Sequence, residues 1–142
     1  MGDISYMISK YYRTITLGDI GKLIKSPYNE FRHLATMFIK KLYHKNPNLK
    51  YKFLVRHIKY INNWNLVDCI ASVFGHYSYH TSDMYLNKWI STSNPWKVRL
   101  CVVSMFYYIK KGNRRTPKRL LKKIKSDHQL VNKSIKWLSK KL

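Results

Sequence analysis

Along most of the chain the apolar residues recur every three or four positions, the spacing of one face of an α-helix, and alternation with period two is nearly absent. The clearest run is 28–43, where Phe31, Leu34, Ala35, Phe38 and Leu42 share a side. Before it, Ser26-Pro27 supplies a capping hydroxyl and a proline suited to a first turn, and Glu30 then lies near the positive end of the helix dipole. Asn63 is expected to cap a helix from Trp64 to about Phe74, ended by Gly75. Ser82 is expected to cap a short helix through Trp89. Asn94-Pro95 opens a long one, Trp96 to Lys111, closed by Gly112. Thr116-Pro117 opens another through Lys125, and a last helix runs from about Gln129 to the C-terminus.

Val and Ile clusters fall inside these stretches, so the fold class is all-α. Short connections predict antiparallel neighbours. Start signals at Pro27, Asn63 and Pro95 recur at intervals of a few tens of residues. Stacked helix pairs of the HEAT type share that spacing, and so does an irregular helical bundle. A stack of pairs curves and would offer a concave face.

Charge changes the picture more than composition does. The chain has 142 residues, read here as a single domain (1–142), with 28 Lys+Arg against 6 Asp+Glu and a formal net charge of +22. Such a chain repels itself unless a polyanion or salt screens it. The basic residues are spread along the whole sequence among aromatics, rather than gathered on one amphipathic helix as a membrane-surface peptide requires. Nucleic acid is therefore the expected partner, since its phosphates release counterions when cations replace them. A basic ribosome-associated or viral protein with no site at all has the same composition. Cys69 and Cys101 stand in apolar stretches and read as buried free thiols. There is no CxxC, no leader-like apolar segment and no membrane-length run, so an intracellular, soluble protein is expected. His76 and His80 have helical i, i+4 spacing but follow Gly75 in an expected loop, without carboxylates or cysteines nearby. No metal and no cofactor are expected.

The six acidic residues can be taken one by one. Asp3 is at a terminus; Asp19, Asp83, Asp127 and Glu30 lie near helix starts, where a dipole or capping role suffices. Only Asp68 falls inside a helix, in Asn-Trp-Asn-Leu-Val-Asp-Cys-Ile-Ala. Trp64, Asp68 and Ser72 are four apart and form a stripe beside the apolar side of Leu66, Val67, Ile70, Ala71, Val73 and Phe74. An indole one turn before a lone carboxylate makes an aromatic, anionic pocket; an ion pair from Asp68 to Arg99 or a lysine accounts for the same spacing. Arg99 sits in an apolar helix with Trp96 three residues earlier on the same side, a placement suited to clamping a phosphate or to a salt bridge. Trp137, in Ser-Ile-Lys-Trp-Leu, stands in an amphipathic helix, where a tryptophan is more often core than site.

Four segments resemble the AlkD-type DNA alkylation repair family, in its order and with similar gaps. They are Lys-Ser-Pro-Tyr-Asn-Glu-Phe-Arg (25–32), Asn-Asn-Trp-Asn-Leu-Val-Asp (62–68), Asn-Pro-Trp-Lys-Val-Arg (94–99) and Val-Asn-Lys-Ser-Ile-Lys-Trp (131–137). Against that family the chain reads as a short, N-terminally trimmed member, with Asn65 where an acidic residue is common, and Tyr6, Tyr11 or Tyr12 as stand-ins for an N-terminal aromatic. The resemblance implies a HEAT-like fold holding double-stranded DNA on a concave basic surface, as a monomer. It implies a glycosylase that removes N3- and N7-alkylated purines, with Asp68 as catalytic carboxylate, Trp64 and Trp137 as aromatic walls, and Arg99 with Trp96 toward the DNA backbone. It equally allows a non-catalytic relative that prefers distorted or branched DNA. A basic RNA-binding protein is the remaining expectation from charge alone.

Overall fold

The computed structural model describes residues 2–142, and among them every regular element is helical. Two compact units divide the chain, one ending at Ile70 and the other covering Ala71–Leu142.

The first unit holds α1 (Gly2–Tyr11), α2 (Leu17–Ile24), α3 (Asn29–Leu42), α4 (Pro47–Arg56), a 3-10 turn (Ile58–Tyr60) and the opening of α5 (Trp64–His80). α3 packs against α2 and α1. Ile20 and Ile24 of α2, Leu34, Ala35, Phe38 and Ile39 of α3, and Phe53 and Leu54 of α4 are buried together with Leu66, Val67 and Ile70 of α5. Each large side chain so buried contributes about 1.5–3 kcal/mol. The expected stripe on α3 holds except at Phe31, which is exposed and lies edge-on to Tyr28 at 5.9 Å. Ser26 does not cap α3, whose N-cap is Tyr28 with no side-chain hydrogen bond, and Pro27 lies before the first turn. The Ser26 hydroxyl instead accepts from the Tyr28 N–H at 3.1 Å, and its carbonyl from Arg32 Nη1 at 2.8 Å, in the turn that leads into the helix.

The sequence pattern marks no helix at α1 or α4, and marks α2 only by the placing of Asp19 near a helix start, where the structure has it. The start of α2 is a capping box: the Thr16 hydroxyl accepts from the Asp19 N–H and the Asp19 carboxylate from the Thr16 N–H, both at 3.1 Å. Asn46 caps α4, accepting from the Leu49 N–H at 3.3 Å while holding the left-handed conformation (φ 65°), with Pro47 in the first turn.

The second unit continues α5 and adds α6 (Met84–Trp89), α7 (Pro95–Ser104), α8 (Phe106–Lys110), α9 (Arg115–Leu121) and α10 (Gln129–Ser139). α7 is the central helix, packed against α10, α6 and α8, and it buries Val98, Leu100, Cys101, Val102 and Ser104. Asn94 accepts from the N–H groups of Trp96 and Lys97 at 3.0 and 3.2 Å, as its position before Pro95 predicts.

Three helix ends differ from expectation. α5 does not stop at Gly75 but runs to His80. Gly75 serves packing instead: a Cβ there would lie 2.5 Å from the Ser104 carbonyl oxygen, so glycine lets α5 and α7 approach. His76 and His80 are consequently helical, not in a loop, with rings 4.4 Å apart and His80 Nε2 2.7 Å from the Tyr107 hydroxyl. The expected long helix divides at Met105 into α7 and α8, and the turn at Gly112 (φ 86°) closes α8 with the Asn113 N–H on the Tyr108 carbonyl. α9 ends at Leu121, short of Lys125. Its i, i+4 pairs Arg115/Arg119 and Lys118/Lys122 are like-charged, which weakens a helix with no carboxylate to offset them.

Candidate active site

The N-terminal turns of α5 open onto a cleft of about 720 Å³ within the first unit. Trp64, Asn65, Asp68 and Cys69 of α5 form one wall. His33, Met37, Lys40 and Lys41 of α3 form the other, and Ile8 of α1 completes it. Asp68 is half-buried and Trp64 is 56% exposed, so the carboxylate and the indole both stand at a surface open to a large ligand. The stripe inferred from i, i+4 spacing is thus physical: one turn of α5 sets the two side chains in the same cleft.

The α3 wall was not singled out in the sequence, although His33, Met37, Lys40 and Lys41 follow helical spacing along the flank of the Leu34 and Phe38 face. It gives the cleft two exposed ammonium groups beside one carboxylate. Lys41 Nζ also lies 5.0 Å from the centre of the Tyr12 ring, within cation–π range. Burial holds the His33 imidazole below its ordinary pKa, favouring its neutral form. His33 Nδ1 and Asn65 Oδ1 are both buried without a hydrogen-bond partner. Cys69 is free, and burial pushes its thiol up, so it is a poor nucleophile despite its place beside Asp68.

The remaining residues singled out from the sequence belong to the second unit. Trp137 on α10 is 38% exposed, not a core residue, and lies edge-on to Phe106 at 5.2 Å with Lys141 Nζ 5.2 Å from its ring. α10 buries Val131, Ser134 and Leu138 on its other side. Arg99 is half-buried and donates from Nη1 to the Leu130 carbonyl at 2.9 Å, joining α7 to the start of α10. Trp96 is half-buried, its ring centre 6.5 Å from that of His128. Among the described residues no group of three or more His, Cys, Asp or Glu is placed to hold a metal ion. No helix among them is long and apolar enough to cross a membrane.

Trp64 and Asp68 thus line one open cleft, in a chain of high positive charge whose described residues form only helices. The family model of the DNA alkylation repair enzyme matches residues 1–141. The chain belongs to the DNA alkylation repair enzyme family. The match takes in α1 and the capping box of α2 as well as the four segments that carried the resemblance. Comparisons with curated proteins and with solved structures gave no match. Membership of this DNA repair family makes DNA the substrate class, in keeping with 28 basic residues against 6 acidic ones.

Proposed function

We propose that this protein is a DNA glycosylase that hydrolyses the N-glycosidic bond of cationic N3- or N7-alkylated purines in duplex DNA, with Asp68 as the catalytic carboxylate. The observation that supports the reading best is Asp68 at the surface of a cleft, one helical turn from an exposed indole and flanked by Lys40 and Lys41. The HEAT-like stacking of helix pairs that the family implies is part of the same proposal.

The residue types suit the chemistry. An N-alkylated purine already carries a positive charge, so the electron pair of the breaking C1′–N bond neutralises it and the base leaves without a general acid. An oxocarbenium-like sugar remains, as in glycoside hydrolysis. The Asp68 carboxylate stabilises that cation and takes a proton from the water that adds to C1′. The Trp64 face favours the cationic base or sugar by about 0.5–2 kcal/mol. Lys40 and Lys41 hold backbone phosphates beside the lesion. Trp137, Trp96 and Arg99 serve as further DNA contacts: the exposed indole of Trp137 and the half-buried one of Trp96 for apolar contact, and the guanidinium, already anchored on the Leu130 carbonyl, for a phosphate.

The test is release of 3-methyladenine or 7-methylguanine from methylated duplex DNA. Asp68→Asn should lower release by about 10²-fold or more while leaving duplex binding within about twofold. Equal release by both proteins would remove Asp68 from the chemistry. Absence of release from wild type, with tighter binding to bulged or four-way-junction DNA than to duplex, would establish the non-catalytic alternative.

A further inference from the structure

A second concavity of about 450 Å³ lies between α2 and α4 in the first unit and shares no residue with the Asp68 cleft. Lys22 and Lys25, three apart on α2, line one side. Lys52 and Arg56, four apart on α4, line the other. No carboxylate lines the groove. The one carboxylate on α2, that of Asp19, accepts the Thr16 N–H within the capping box and offsets part of the charge of Lys22, with which it interacts electrostatically. Four cations around one hollow still outnumber that carboxylate and favour an anion inside it.

The floor is not polar. Leu49 is exposed there, and beneath it the buried ring of Phe53 lies tilted by 30° against that of His57, with ring centres 4.2 Å apart. The His57 ring is itself fixed by Nδ1–H donation to the Phe53 carbonyl at 2.8 Å. Gly18 leaves the upper end open: a Cβ there would meet only the Thr16 hydroxyl, at 3.6 Å. Inorganic phosphate would use the cations and leave the floor bare. A flat ring system carrying a phosphate would use both.

We propose that this groove is a nucleotide site, with the phosphate held by Lys22, Lys25, Lys52 and Arg56 and the base lying over Leu49 and the edge of Phe53. The nucleotide is either free or the unpaired end of a DNA strand; the chemistry recognised is the same. The site is independent of base excision at Asp68.

Because a chain of charge +22 attracts any anion, the decisive variant keeps the charge and fills the hollow. Gly18→Leu does so at a position where the helix gains propensity. Binding of deoxyadenosine 5′-monophosphate, and separately of a duplex with a one-nucleotide overhang against a blunt duplex, would be measured by calorimetry at about 0.15 M salt. Gly18→Leu should weaken at least one of these ligands about tenfold, and so should Lys52→Gln combined with Arg56→Gln. Asp68→Asn should weaken neither. A plug-sensitive overhang with an insensitive free nucleotide assigns the site to strand ends; the reverse assigns it to free nucleotides. Equal binding of both ligands by wild type and Gly18→Leu, with the variant's helical circular dichroism unchanged, overturns the proposal. Release of alkylated base by Gly18→Leu reads the Asp68 chemistry separately.

Discussion

Gly75 and His33 show how single residues divide their duties between packing and titration. Gly75 sits in a helix interior, where it costs about 1 kcal/mol relative to Ala in propensity. The 2.5 Å approach of a built Cβ to the Ser104 carbonyl outweighs that gain. Gly75→Ala should therefore destabilise by about 1–3 kcal/mol, seen as a lower midpoint in urea with the slope unchanged. His33 titrates in the cleft wall. Its folded pKa is depressed below 6.5 by burial, so the unfolded chain takes up the proton first. Stability linked to this residue is intact above about pH 6.5 and is lost as pH falls through the lower folded value. His33→Gln should reduce the fall in thermal midpoint between about pH 7 and about pH 5; an identical fall in the variant would show that other groups control the acid limb.

At the scale of elements, helix starts were legible to within a few residues, but Ser26 and Ser82 are not the caps expected: α3 and α6 begin after Tyr28 and Asp83 without a side-chain cap. Asn94-Pro95 gave α7 its start, and the Asn94 side chain makes the hydrogen bonds that its position predicts. Asn94→Ala should cost about 1 kcal/mol, or a fall in Tm of about 4 °C, measured by circular dichroism. The same dipeptide at Asn46-Pro47 opens α4 but was passed over, because the apolar residues after it, Leu49, Tyr51, Phe53, Leu54 and Val55, do not repeat with a clean helical period. The extent of α2 was not legible for a related reason, although Asp19 reads as lying near a helix start. Its capping box uses Asp19 at the third position, a shorter acid than the usual Glu, ahead of only eight helical residues. Gly75 misled for the opposite reason: a glycine that permits close approach looks, in one dimension, like a glycine that ends a helix. The Trp64–Asp68 half of the candidate site was readable because a helix converts i, i+4 into adjacency. The α3 half, with His33, Lys40 and Lys41, was not, because pairing between two helices is tertiary information that no local period encodes.

Across the whole molecule, charge dominates. Residues 84–126 contain no Asp or Glu at all, and they include Arg114, Arg115, Lys118, Arg119, Lys122 and Lys123. Self-repulsion on this scale weakens the compact state and is relieved by screening. Raising NaCl from about 0.05 M to about 0.5 M should therefore raise the thermal midpoint, the reverse of what a fold held by surface ion pairs would give. Over the same range duplex binding should fall steeply, with a log–log slope that grows with the number of phosphates contacted. A midpoint that drops with salt would show that attraction, not repulsion, governs the surface. The ammonium groups also rest on rings in several places: Lys97 over Trp89 at 5.2 Å, Lys110 over Phe106 at 4.7 Å, and Lys141 over both Phe106 and Trp137. Such a lysine has two competing seats, an indole or a phosphate. When a polyanion draws it away, the ring is uncovered. Indole emission is therefore expected to shift as a nucleic acid arrives, a gauge of occupancy that needs no dye.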